Sequence, residues 1–336
     1  MLPRLNYDLA MALSGDAVWI APPGEARPIC VPAYVAVAAA TGAVVAVGTA
    51  AAAINGNEPG SIAVLRWHEA AAATDDGTVL ATAMRELLRE HGRRGVRRAR
   101  IVFVVEAGLR LAVKTALLAA GAREVLLLDP PMAAAIGIGL KIEVAAPSAV
   151  LVLERRACSF AVISLAGVVA GFTAAQGLGR LLEDIALHAQ ATRGCTVGVE
   201  RVHDAILRHG LAGAEAIGWE AWLDEVATGR SATASFADPD IRRISEPFRH
   251  WLAWHHRGAF ESIAPGKRAG TEAIPVHLVG PYARAAGLAD LVGLALDRRV
   301  VVPENHAACL VQGARAVTRD LPFLLSFVSR QQRRRA

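Results

Sequence analysis

"AGAREVLLLDPPMAAAIGIGL", residues 120–140, is the stretch from which the rest of the chain can be read. Glu124 to Asp129 is a short, leucine-rich run of strand length, and Gly121 before it has the place of a helix terminator. Pro130 and Pro131 then stand where a helix begins, because proline at the first helical position has no amide to leave unpaired. The stretch therefore predicts helix end, strand, helix start. Working outward, "GLRLAVKTALLAAG" (108–121) predicts the helix that Gly121 closes, and "ARIVFVV" (99–105) a buried strand before it. "DGTVLATAMRELLREHG" (76–92) predicts a helix, with apolar residues at Val79, Leu80, Met84, Leu87 and Leu88. Strand and helix alternate, which predicts a mixed sheet covered by helices.

The strand pattern restarts at "VLVLERRACSFAVISLAGVV" (150–169), as if a second sheet opens there. Two apolar strands are joined by Glu154, Arg155, Arg156 and Ala157, where a tight connection ordinarily recruits Gly, Asn or Asp. "GLGRLLEDIALHAQ" (177–190) and much of 196–260 predict helix; "IPVHLVG" (274–280) and "RRVVVP" (298–303) predict late strands. Two similar α/β halves, joined near Pro147, are the architecture these segments predict.

The chain of 336 residues is long enough for two domains. It is 54% hydrophobic, much of that alanine, and only 5% aromatic. Residues 28–57 carry no charge, yet Pro32, Gly42, Gly48 and Gly56 interrupt them and Thr41-Gly42 reads as a hairpin turn, so a spanning helix is not the expectation. Pro3, Arg4 and Asp8 argue against a signal peptide. The four cysteines are scattered, without a C-x-x-C, which fits a reducing compartment. Trp219, Trp222, Trp251 and Trp254 read as a small satellite core, and His250, His255 and His256 lack metal-ligand spacing. The net charge of +5 is concentrated in 89–100 and in the tail, but without interleaved aromatics, so nucleic acid is not an expected partner.

Residues 120–140 followed by "FAVISLAGVV" (160–169) resemble the bacterial actin family of MreB, which has A-G-A-R-E-V-x-L-I-E-E-P-M-A-A-A-I-G and then V-D-I-G-G-G-T-T-E-V-A-V-I-S-L-G-G. "VAVGTAAAAINGNEPGSIAVLR" (45–66) resembles the family's V-G-x-x-A-K-x-M-x-G-R-T-P-G-N-I-x-x-x-R, and "VHLVGPYARAAGL" (276–288) its V-L-T-G-G-G-A-L-L-x-G-L. The resemblance implies an α/β actin-like fold: two RNase-H-like domains flanking a nucleotide cleft, each with a small subdomain. On this chain domain I would be 1–147 (small subdomain about 28–66), domain II 148–320 (small subdomain about 186–270), and 321–336 a basic tail. It also implies ATP with Mg²⁺ in the cleft and membrane-associated filaments that organise cell-wall synthesis.

Carried over residue by residue, the nucleotide motifs are degenerate. The second phosphate loop has Val152 at the metal-side aspartate and Glu154, Arg155 and Arg156 at the three glycines; Ala157 and Cys158 replace two threonines. The first phosphate loop, D-L-G-T-A-N-T, aligns with "DLAMALS" (8–14), keeping Asp8 but placing Ala10 at the glycine. Leu109 falls at the water-positioning glutamate of V-E-R-R-A-V, with Glu106 nearby. G-G-D-E-L-D-E-A-I aligns with "GLGRLLEDI" (177–185): Gly177 and Glu183 persist, while Leu178, Gly179 and Leu182 do not match. The glycine triplet at the adenosine side is Gly280, Pro281, Tyr282, and the basic residue of A-E-E-I-K falls near Leu207.

Phosphoryl transfer needs both the metal-side and the water-positioning acid. The expectation is therefore a catalytically degenerate scaffold without a cofactor, working in the cytoplasm through protein partners, a true MreB or itself. Two alternatives stay open: a divergent filament former that uses ATP with Mg²⁺, and an adaptor on the inner face of the membrane. In the second, Arg93, Arg94, Arg97 and Arg98 would contact anionic lipid. Helix 111–120 reads first as core, and secondly as a contact between paired protofilaments. The apolar-then-basic run 321–336 is a second membrane candidate.

Overall fold

In a computed structural model the described residues are 9–22, 24–55, 59–73, 77–91, 99–193, 197–211, 243–263, 271 and 274–319. The chain forms two compact units, 1–141 with 308–336, and 142–307.

Unit 1 opens with an antiparallel meander of β1 (Leu9–Ser14), β2 (Ala17–Ala21) and β3 (Ile29–Pro32). A small antiparallel sheet follows, with β4 (Tyr34–Ala38) between β5 (Val44–Val47) and β6 (Ile62–Arg66). The turn between β4 and β5 is the expected hairpin: Gly42 has φ +69°, and the Ala38 amide donates to the Ala43 carbonyl. α1 (Gly48–Ile54) and α2 (Trp67–Ala73) flank this sheet. α3 (Thr78–His91) buries Val79, Leu80, Met84, Leu87 and Leu88, the stripe its periodicity predicts. β7 (Arg100–Val104) is buried at four of its five residues, as suits a parallel strand covered on both faces. A 3₁₀ turn (Ala107–Leu109), α4 (Arg110–Ala119), β8 (Glu124–Leu128) and α5 (Pro130–Gly137) complete the run, with Pro130 and Pro131 in the first turn of α5.

Unit 2 repeats the plan. β9 (Ser148–Leu153), β10 (Cys158–Ser164) and β11 (Gly167–Ala174) form a meander. α6 (Gly179–Arg193), α7 (Val199–His209) and α8 (Glu246–Glu261) follow, then β12 (Val276–Val279), α9 (Leu288–Leu296) and β13 (Val300–Val301). The large sheets run β3-β2-β1-β7-β8 and β11-β10-β9-β12-β13, each with one antiparallel meander and two parallel strands on its far side. The same order occurs twice, so the two predicted halves are two copies of one sheet topology.

Three expectations are corrected. The boundary lies at 141/142, not 147, because residues 142–145 pair with the β10–β11 turn: the Leu165 and Ala166 amides donate to the Val144 and Ile142 carbonyls. The last described helix, α10 (Cys309–Arg319), belongs to unit 1 rather than domain II. It packs on α5, and a Cβ on Gly137 or Gly313 would overlap the carbonyls of Cys309 or Ala133. The small sheet starts at Tyr34; residues 29–32 belong to the large sheet. Of the tryptophans, Trp251 is half-buried against Phe248 and His255, whereas Trp254 is 71% exposed and forms no core. Trp219, Trp222 and residues 321–336 lie outside the described residues, and among the described residues no helix is long and apolar enough to cross a membrane.

Candidate functional site

The connection between β1 and β2 is a two-residue turn. Ser14 pairs with Ala17, and Gly15 takes φ +59° between them, a conformation two-residue hairpins require. "LAMALS" is thus strand rather than loop. Ala10 is buried inside it, opposite Ala21 and Val102, and is no loop position. The first loop is Gly15-Asp16, and Asp8 lies outside the described residues. Asp16 is a residue the sequence reading missed, although the turn dipeptide Gly15-Asp16 marked it. Its carboxylate lies 3.4 Å from Arg66 Nε on β6, and its carbonyl accepts from the Ala33 amide at 2.8 Å.

Leu109 ends the 3₁₀ turn and packs half-buried on the unit 1 core. Arg110, the next residue, forms an ion pair with Asp129 and donates to the Leu127 carbonyl at 3.3 Å. This anchors α4 to the end of β8, and the Asp129 carboxylate is engaged there.

In unit 2 the turn between β9 and β10 spans Glu154 to Ala157, and the Glu154 amide donates to the Ala157 carbonyl at 2.9 Å. Val152 is 2% exposed, paired with Ser159 on one side and Val279 on the other. Cys158 is fully buried, and burial pushes its thiol far above the usual range, so it is inert. The turn carbonyls of Glu154 and Arg155 accept from the amides of Leu178 and Gly179 at 2.8 and 2.7 Å. Those amides open α6, so the turn caps donors that a helix start leaves unpaired. This close approach explains two glycines. A Cβ on Gly177 would overlap the Glu154 and Ala157 carbonyls, and one on Gly179 would meet the Arg155 carbonyl at 2.7 Å. Leu178 and Leu182 are core residues, and Glu183 is exposed.

Arg155 does not point free. Its guanidinium donates to both carboxylate oxygens of Glu200 on α7, at 2.9 and 2.6 Å. Arg156 is exposed. Gly280 has φ +120° and lies against the Leu153 carbonyl; its amide donates to the His306 carbonyl at 3.1 Å, and His306 Nδ1 lies 2.8 Å from its carbonyl oxygen. Pro281 is half-buried, and Tyr282 is 1% exposed with its ring edge-on to His203, centroids 5.4 Å apart. Leu207 faces solvent. His203, on the same helix, is the residue brought to the Gly280–Tyr282 loop. Glu200 and His203 were missed because their partners are far away in sequence. Arg93, Arg94, Arg97 and Arg98 lie outside the described residues, and no group of metal-ligating side chains occurs among those described.

The family described as MreB/Mbl protein matches residues 8–324. The cell shape-determining protein MreB of Haemophilus influenzae is 29% identical over 223 residues, 64% of this chain and 63% of its own length. That of Escherichia coli is 32% identical over 166 residues, 46% of each chain. The chain thus spans less than two thirds of the length of the curated relatives it matches. Among solved structures, MreB 5 of Spiroplasma citri bound to AMPPNP superposes with a TM-score of 0.75 at 16% identity, covering 98% of this chain and 100% of that one. A MamK double helical filament gives 0.68 at 13% identity, covering 94% and 99%. The duplicated sheet and these superpositions make the fold actin-like, and the match over nearly the whole length makes this chain a member of the MreB/Mbl family.

Proposed function

We propose that this chain is a non-hydrolysing cytoskeletal scaffold of its family, acting through protein contacts with itself or another MreB in cell-shape or envelope organisation. The observation that carries the reading is the chemistry at two family carboxylate positions. Val152 is buried between two strands, and Leu109 packs on the core. Neither can hold a metal ion or orient a water, and phosphoryl transfer depends on such groups. The residues present do not fit a magnesium nucleotide: Arg155 is paired with Glu200, and Tyr282 replaces a glycine. Retention of Gly177 and Gly280 does not argue for a ligand, since backbone packing requires both.

The test is a titration of the purified chain with a fluorescent ATP analogue and Mg²⁺, followed by melting temperature and phosphate release. A ligand at 100 times its Kd adds about 2.7 kcal/mol of stability, a readable shift. The expected result is no shift and no phosphate above the blank; saturable binding with turnover would establish the nucleotide-dependent filament reading instead.

A further inference from the structure

We propose that unit 2 carries its own latch: Arg155–Glu200 and Tyr282–His203 hold α7 on the two loops where the family pattern has glycines, taking the place of a bound ligand. This rests on the reading that the site works without nucleotide. Glu200 and His203 are three residues apart, so they project from one face of α7. From that face Glu200 takes both ends of the Arg155 fork, across 45 residues of sequence, and His203 takes the edge of Tyr282. The far end of α7 is pinned to the same loop segment. The Leu211 amide donates to the Ala286 carbonyl at 2.7 Å, and Gly210, at φ +74°, lies where a Cβ would meet Ala286 at 2.6 Å.

An ordinary surface ion pair would count for little. Three features separate this one. The pair is bidentate, the geometry that makes arginine–carboxylate contacts strong. The Arg155 side chain is only 11% exposed, although Glu200 is 49% exposed, so the guanidinium end of the pair is sheltered while salt still reaches the carboxylate. Glu200 lies in the first turn of α7, where the helix dipole favours a negative charge. The turn that carries Arg155 is itself held by the α6 amides, so the guanidinium is presented from a fixed base. A cation tethered in that turn is present at all times, and α7 stays docked whatever the ligand concentration.

Hydrogen exchange of the full chain tests the latch, comparing wild type with Arg155→Ala, Glu200→Gln and the charge swap R155E/E200R. In the single variants the amides of 199–209 are expected to exchange on the order of tenfold faster, with α6, α8 and α9 unchanged. The swap should restore most of the protection, and about 0.5 M salt should weaken it in wild type. Wild-type exchange of α7 in both single variants would overturn the proposal. So would a uniform loss across unit 2, which would report general destabilisation. Binding of the ATP analogue to wild type is read separately: it would defeat the scaffold reading, while α7 exchange would still decide the latch.

Discussion

Gly177 illustrates how a matched motif residue can be kept for packing alone. Its α carbon sits against the carbonyls of Glu154 and Ala157, and the amides that follow it bond the same turn. A methyl group there must push β9–β10 away from α6, and backbone yields less readily than a side chain. Gly177→Ala is expected to destabilise the fold by about 2–3 kcal/mol, within the range for overpacked cores. Thermal melting checks it, and a variant that melts with wild type would show that the turn can move. At the neighbouring position Gly179 departs from the family aspartate, and the 2.7 Å approach of the Arg155 carbonyl gives the reason.

At the scale of the element, α4 carries two different faces. Val113, Ala116 and Leu117 are buried in the unit 1 core, as the apolar stripe predicts. On the other side Leu111 is 79% and Leu118 42% exposed, with Lys114 and Thr115 between them. The core reading of this helix accounts for the first face and leaves the second unused. Leu111→Glu with Leu118→Glu should leave the melting temperature within the small range of surface substitutions, about 0.5 kcal/mol. The expected effect is on assembly: wild-type protein sediments and the double variant stays in the supernatant. Sedimentation of both to the same extent would move the contact to another surface.

Over the whole molecule, one buried ring among the described residues should contribute to the pH dependence of stability. His256 on α8 is 7% exposed, edge-on to Phe160 and tilted on Phe260, with its Nε2 buried and without a partner. Burial, and secondarily the Arg298 charge, lower its pKa from 6.5 to about 4. Below pH 6.5 the unfolded chain takes up a proton that the folded chain refuses. The stabilisation is therefore complete above 6.5 and is lost as pH falls through about 4. The amount is on the order of 3 kcal/mol. His256→Phe keeps an aromatic ring in the cluster and removes the titration, so its melting temperature should fall less steeply than that of wild type between these pH values. Parallel profiles would mean that other groups govern the acid response.

The sequence by itself determined the alternation of strand and helix, the paired halves and which side chains occupy the β9–β10 turn. Each of these is a local property: the leucine run at 124–128, the prolines that open α5, the side chains at 154–156. The hairpin at Thr41-Gly42 and the stripe of α3 were legible for the same reason, since a period of two or of 3.6 is written within a few residues. Tertiary structure alone decided the rest. It placed the first loop at Gly15-Asp16 rather than within the motif carried over to residues 8–14, because pairing with β2 and β7 fixes where a strand ends. It set His203 against Tyr282, gave Arg155 a partner 45 residues away, and returned α10 to the first unit. Those outcomes depend on which distant surfaces meet, and no local period encodes that.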